Sequence, residues 1–321
     1  MDIKYCEDCA TRLHVNRHKE RKDGTVATQY KCPNCNTYAT YYDKEVKSSP
    51  EYDIVKTVGP KILILDIETA PISAVVWRIW KENVGLKQIM NDWYILTWSA
   101  KWLGEDEVYA DALVNHDLYD TEPRNDIEIL KSIHTLISQA DIIIAHNGDR
   151  FDMPKLNARF IYHGIMPPSP YKTIDTLKVA KYTFNFTSNK LAYLGVFLKV
   201  GGKIDTGGME LWTRCLDGDL DAYKEMLEYN IQDVKLLEDV YMKMRPWVKS
   251  HPNFGVYIRE SRKICTACGS DNLKTDPDSP YAYTPLGRFN AYQCQDCGKW
   301  VRDRKNLNDK FKNRNLVTNA I

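Results

Sequence analysis

The chain has 321 residues, a formal net charge of +1, and 43% hydrophobic and 27% charged residues. That is the balance of a soluble globular chain longer than one ordinary domain, and it excludes fibrous, low-complexity and disordered classes. The longest apolar runs, such as "ILIL" and "DIIIA", are too short to span a bilayer, and "MDIKYCEDCA" has no apolar signal core, so a cytoplasmic protein with no membrane partner is expected.

Taken in chain order, the first signal is cysteine spacing. Cys6/Cys9 and Cys32/Cys35 form two CxxC pairs, and the arrangement recurs near the other end as Cys265/Cys268 and Cys294/Cys297. A CxxC turn offers two thiolates to one ion, and two such turns complete a tetrahedral sulfur site. The alternative is disulfides; the paired spacing and the missing secretion signal favour zinc. Strand-like stretches such as "VATQYKC" and "FNAYQCQDCGKWV" lie between the pairs, so residues 1–50 and 251–321 are each expected to be a zinc ribbon holding one structural Zn2+. His14 and His18 are not needed by a site that already has four cysteines. Cys215, in "LWTRCLDGD", is expected to be an ordinary buried cysteine.

Between the ribbons, residues 51–250 read as one α/β domain. "KILILD" is a buried strand. "WYILTWSAKWL" (93–103) and "EVYADAL" (107–113) are two more. Residues 124–140 have apolar positions at helical spacing, and "DIIIAH" (141–146) is a further buried strand. Residues 152–164 form a helix ended by Gly164. "PPSPYKTID" reads as a loop, with Asp175 capping the helix "TLKVAKYTF". Helices follow over 188–198 and 219–244, the latter closed by Pro246. The order of strands, alternation, then helices fits a sheet flanked by helices. The aromatics of "WRIW" (77–80) are expected in the core rather than as a base-stacking wall.

Charge is divided unevenly. Residues 1–50 carry +2, residues 51–244 carry −8, and residues 245–321 carry +7. An acidic middle can hold cations, and basic ends can attract a polyanion. The C-terminal "KWVRDRKNLNDKFKNRN" interleaves aromatics with basic residues, a composition equally suited to nucleic-acid contact and to a solvated tail.

Acids recur where chemistry would place them. In "ILDIET" a buried strand runs into Asp66 and Glu68, which at i and i+2 point to one side. Two such carboxylates repel unless a cation sits between them, although a solvated strand end is as good a reading of the pair alone. "IIIAHNGDRFD" again takes a strand into a polar loop, and Asp152 opens the next helix, where a carboxylate is favoured in any case. In "EYNIQDV", Tyr229 and Asp233 share one face of a helix, with Asp233 among apolar neighbours.

These three segments, "DIE", Asn147-x3-Phe151-Asp152 and Tyr229-x3-Asp233, resemble in order the three motifs of the DEDD exonuclease superfamily, and the tyrosine places the resemblance in the DEDDy branch. Together with "PPSPYKTIDTLK" and "SNKLAYLG", residues 60 to 250 look like phage-type and bacterial predicted 3′–5′ exonucleases related to the proofreading domain of family B DNA polymerases. The resemblance implies an RNase H-like fold with a mixed central sheet and helices on both sides. It implies two Mg2+ or Mn2+ ions, with Asp66 bridging both, Glu68 and Asp233 on the nucleophile side and Asp152 on the leaving-group side. Tyr229 would orient the attacking water, since a phenol with a pKa of ~10 is protonated at neutral pH. Thr69, Asn147 and Phe151 are candidates for positioning the terminal nucleotide, and His146 is expected to be structural. Arg150 and Lys190 are weak candidates for phosphate contact. The implied substrate is single-stranded DNA or a DNA 3′ end, in the host cytoplasm if the chain is phage-encoded. A separate DNA polymerase or replication and repair proteins are the expected protein partners. An RNA 3′–5′ exonuclease, a zinc-ribbon adaptor with an inactive nuclease core, and an RNase H-like endonuclease are the rival readings.

Overall fold

The computed structural model describes Cys6 and residues 14–20, 26–43, 59–202, 208–258 and 261–320. The chain divides into two compact units, Met1–Val55 and Lys56–Ile321. In the first, β1 (His14–Glu20), β2 (Val26–Lys31) and β3 (Tyr38–Asp43) form an antiparallel meander. Its β2–β3 turn carries Cys32 and Cys35, with the Asn36 N–H bonded to the Cys32 carbonyl at 3.1 Å.

The second unit is built on β4 (Ile62–Thr69), which begins with four buried residues because both of its faces are covered. A small hairpin of β5 (Ser73–Ala74) and β6 (Ile89–Asn91) follows, then β7 (Ile95–Trp102) and β8 (Val108–Ala112). Next come α1 (Ile127–Ile137), β9 (Ile142–Ala145), α2 (Asp152–Tyr162), β10 (Lys172–Asp175) and α3 (Thr176–Thr183). Helices α4 (Leu191–Phe197), α5 (Met209–Leu216) and the 25-residue α6 (Leu220–Met244) complete the α/β part.

The sheet order is β10-β9-β4-β7-β8. Strands β10, β9 and β4 are parallel, whereas β7 and β8 run antiparallel, so the sheet is mixed. Strand alternation divides the core into two. Leu63, Leu65 and Ile67 pack with residues of α1, α2, α5 and the start of α6. Ile62 and Ile64 pack on the other face with residues of α3, α4 and the later turns of α6. This is the mixed sheet with flanking helices that the sequence predicts. Cys215 is buried in the first core, as expected.

Two expectations fail. The end of "PPSPYKTID" is a strand, β10, and not a loop. Only Ile174 and Asp175 of its four residues are buried, too little apolar pattern to announce a strand. The "WRIW" segment is not core: Trp77, Ile79 and Trp80 are 92%, 85% and 81% exposed. It lies between β5 and β6, whose two-stranded sheet is separate from the five-stranded one and holds the segment away from both cores. Helix α5 has no counterpart among the expected elements, and the 188–198 helix begins three residues late, at Leu191.

After α6, a four-stranded sheet centres on β13 (Gly287–Cys294), with β11 (Leu273–Lys274), β12 (Tyr281–Thr284) and β14 (Trp300–Arg302), and α7 (Lys310–Asn315) follows. Lys299, largely buried, donates to the Val248 carbonyl at 2.6 Å and fastens this sheet to the segment after α6. Among the described residues, no helix is long and apolar enough to cross a membrane.

Candidate active site

The parallel ladder between β4 and β9 covers Ile62–Ile64 only, while β4 continues to Thr69 along β7. The last turns of β4 therefore project past the carboxyl end of β9, the place where open α/β sheets accept ligands. Asp66 and Glu68 stand there, both half-buried, on the face that Ile62 and Ile64 present to α6. Helix α6 supplies the other side. Asp219 caps it through the N–H groups of Asp221 and Ala222, and its buried stripe includes Tyr229, Asn230 and Asp233. One carboxylate oxygen from each of Asp66, Glu68 and Asp233 lies within 4.8 Å of the others.

Tyr229 donates to Asp233, and its pKa is pushed well above the usual phenol range. Burial is the largest cause, followed by the charges of Asp233, Glu68 and Asp66. The phenol thus senses all three acids and stays protonated.

Asp152 stands outside this trio. It opens α2 fully buried, and its Oδ1 accepts the Ile67 N–H at 3.2 Å. The bond supplies a partner where β9 has stopped. Burial, with a smaller contribution from Asp175, pushes the Asp152 carboxyl up to about 7 against the pull of its backbone hydrogen bonds.

Sequence reasoning missed a residue that supports the acid trio. Asn230 is fully buried, and its Nδ2 donates to Asp66 Oδ2 at 2.6 Å. Thr97 Oγ1, from β7, reaches Asn230 Oδ1 at 3.5 Å. A signal for it exists: a polar residue three positions before Asp233 falls on the same helix face.

Asp66, Glu68 and Asp233 open into a cavity of about 580 Å3 that is also lined by His146, Phe151, Lys181 and Lys190. Of the three nucleotide-positioning candidates, Phe151 lines this cavity. Thr69 lines a neighbouring depression with Trp93 and Trp212. Asn147 lies in the loop after β9. It sits at φ +73°, and its N–H donates to Asp175 Oδ1 at 3.0 Å, which ties the loop after β9 to β10. Asp175 also caps α3, through Leu177 and Lys178. His146 donates from Nε2 to the Asn189 carbonyl at 2.9 Å and has Thr176 Oγ1 2.9 Å from Nδ1.

The donor sets fit the expected metals. Three hard carboxylates, one of them bonded by the Asn230 amide, suit Mg2+ or Mn2+. Near the C-terminus, Cys265, Cys268, Cys294 and Cys297 converge, with Sγ–Sγ separations of 3.5 Å (Cys265–Cys297) and 3.6 Å (Cys268–Cys294). These are far beyond a disulfide and near the ~3.8 Å edge of a tetrahedron with metal–sulfur bonds of ~2.3 Å. Hydrogen bonds from the Cys268 thiol and the Ala267 amide hold the Cys265 thiol well below the usual range, at about 4. At the other end Cys6, Cys32 and Cys35 converge, and Cys9 lies outside the described residues.

Comparison with known protein families agrees with this architecture. The sequence model of the RNase H superfamily matches residues 63–245, more than half of the chain. The chain belongs to that superfamily and has its nuclease fold. Nucleic acid is the substrate class this fold implies, and nucleases of the fold use divalent metals. Among solved structures, the chain is similar to the family B DNA polymerase from the hyperthermophilic archaeon Pyrobaculum calidifontis, at 13% identity and a TM-score of 0.45. That match covers 74% of this chain and 29% of the polymerase, so the chain spans less than a third of that protein's length. A search of curated proteins returns no match.

Proposed function

We propose that this chain is a divalent-metal-dependent 3′–5′ exonuclease of the DEDDy type that acts on single-stranded DNA ends and releases nucleoside monophosphates. The observation that carries the reading is the convergence of Asp66, Glu68 and Asp233 within 4.8 Å, with Tyr229 bonded to Asp233, at the mouth of one cavity. Superfamily membership supports hydrolysis of a phosphodiester, and the Tyr229-x3-Asp233 turn supports the exonuclease branch.

In this reading Asp66, Glu68 and Asp233 hold the ions, with Asp152 as the fourth carboxylate. Bound divalent ions would supply a hydroxide nucleophile near neutral pH and stabilise charge on the departing 3′ oxygen. The chain's own groups do the positioning. Asn230 fixes the Asp66 carboxylate. Tyr229 remains a neutral phenol and orients the attacking water as a hydrogen-bonding group, not as a base. Phe151 offers a ring to the terminal base, and Lys181 and Lys190 offset phosphate charge at the cavity wall. The cysteine clusters hold one structural zinc each, the N-terminal one completed by Cys9, and the C-terminal ribbon begins at about residue 251.

The test is digestion of 5′-labelled single- and double-stranded DNA and RNA with Mg2+ or Mn2+. Stepwise shortening of DNA from the 3′ end, abolished by Asp66→Ala, is expected. Internal cuts would replace this reading with an endonuclease, RNA-only digestion would replace the substrate, and intact substrates throughout would overturn catalysis.

A further inference from the structure

The acidic cavity accounts for one end of a substrate strand. The −8 charge of residues 51–244 makes that part of the chain a poor surface for the rest of a polyanion, and the +7 of residues 245–321 marks where a strand would be held. The structure gives this basic end a definite shape. A groove of about 1000 Å3 runs between the turn after α6 and the sheet of β12, β13 and β14. Trp247, Tyr281, Tyr283 and Trp300 line it, and these rings are 59%, 39%, 72% and 45% exposed. Exposed Lys249, Arg302 and Arg304 line it too. The acid in the lining, Asp303, is already engaged: it accepts from Asn290, Tyr292 and Lys263. Aromatic faces interleaved with cations are the two components of single-strand binding: bases stack on the rings and phosphates follow the charge.

A line of rings runs from this groove to α4, which borders the acidic cavity. Trp247 packs edge-on against Phe184, with centroids 5.7 Å apart. Phe184 stacks on Phe186 at 4.9 Å, Phe186 meets Phe197 at 5.1 Å, and Phe197 stacks on Tyr193 at 6.0 Å. Tyr193 and Phe197 belong to α4, whose first residues, with Lys190, line the acidic cavity. Along α6, the 11 steps from Asp233 to Met244 span about 17 Å at 1.5 Å per residue. A strand with its 3′ end at the carboxylates therefore needs only a few nucleotides to reach Trp247.

We propose that the groove between the end of α6 and the C-terminal sheet binds single-stranded DNA by stacking and phosphate contact, and that the α4 rings lead the strand from it to the acidic cavity. Binding by the groove stands on its own lining; only the direction of the strand rests on the exonuclease reading.

The experiment is fluorescence anisotropy of the full-length protein with labelled dT20 in the absence of added Mg2+ or Mn2+, across a salt series. Trp247→Ala with Trp300→Ala is expected to weaken dT20 binding at least tenfold, at unchanged zinc content and circular dichroism. Lys249→Ala with Arg304→Ala is expected to make the slope of log affinity against log salt shallower by about 1.4, from ~0.7 per phosphate contact on a single strand. An abasic oligonucleotide of the same length should bind at least tenfold more weakly than dT20. Unchanged affinity and slope in both variants would overturn the proposal. So would an abasic strand or polyglutamate that competes as well as dT20, or a preference for rU20. Digestion separates the two readings. Groove-dependent binding of dT20 that is never degraded with Mg2+ or Mn2+ would support the groove and overturn the exonuclease. Degradation by a protein whose groove variants bind like wild type would do the reverse.

Discussion

Asn230→Ala tests how the carboxylates are organised. The substitution deletes the 2.6 Å bond from Nδ2 to Asp66 Oδ2 and leaves the Asp66 carboxylate without the group that orients it from α6. A hydrogen bond to a charged group contributes about 1.5–3 kcal/mol, and loss of a group supporting a metal ligand weakens metal binding ~10–100-fold, so the two magnitudes agree. Titration of the variant with Mn2+, followed by water-proton relaxation or calorimetry, should show affinity reduced by about that range. Asn230 is fully buried, so some loss of stability will accompany the change, and a urea midpoint measured alongside separates the two effects. Asn230→Asp keeps the shape but adds a fourth negative charge to the acid trio, and should raise divalent-ion dependence of stability rather than restore the wild-type behaviour. Wild-type Mn2+ affinity in a destabilised Asn230→Ala protein would refute the reasoning, because Asn230 would then be only a packing residue.

Three other outcomes follow from the same geometry. Tyr229→Phe should lower turnover while leaving the shape of the pH–rate profile between pH 6 and 9 unchanged, because burial, the largest cause of its raised pKa, favours the neutral phenol; loss of a basic-side limb in the variant would assign the tyrosine a titrating role. His251 donates from Nδ1 to the Pro252 carbonyl and accepts the Tyr241 hydroxyl at 2.7 Å, so it is folded as the neutral ring, and burial lowers its pKa. Its contribution is present above the unfolded value of ~6.5 and is lost as pH falls through that value toward the lower folded one; thermal unfolding at pH 7.5 and 5.5 with saturating zinc should show a smaller acid loss in His251→Gln than in wild type. Elemental analysis should find two zinc ions per chain, falling to one in Cys268→Ser, and a finding of no zinc would remove the ribbon argument.

Much of the frame is legible in the sequence because it is written in apolar runs. "ILIL" and "III" are buried on both faces of the sheet, and such strands need no alternation to be seen. Helix α6 announces itself by its length and by the Pro246 that closes it. Strand β10 is hidden because it is short and half exposed, and is held by pairing to β9, which local sequence does not encode. The "WRIW" segment misleads because hydrophobicity says what burial would gain, not whether a neighbouring layer exists to provide it. The same division holds at the site. Asp66, Glu68 and Asp233 are readable as acids where packing has no use for them. Asn230 is not, since a neutral amide looks like any helix residue until its carboxylate partner, 164 positions earlier in the chain, is known. Asp152 can be picked out from its motif, but its backbone bond to Ile67 and its separation from the trio come from tertiary placement.

The most direct test of the central claim is the product of the reaction itself. Purified wild-type protein and Asp66→Ala, each with Mg2+ or Mn2+, are given a 5′-labelled single-stranded DNA and the products are resolved at single-nucleotide steps. A ladder that shortens from the 3′ end with release of nucleoside monophosphates, present in wild type and absent in the variant, is the predicted result. A 5′-labelled strand that stays full length with wild type, or a ladder that persists in Asp66→Ala, would contradict it.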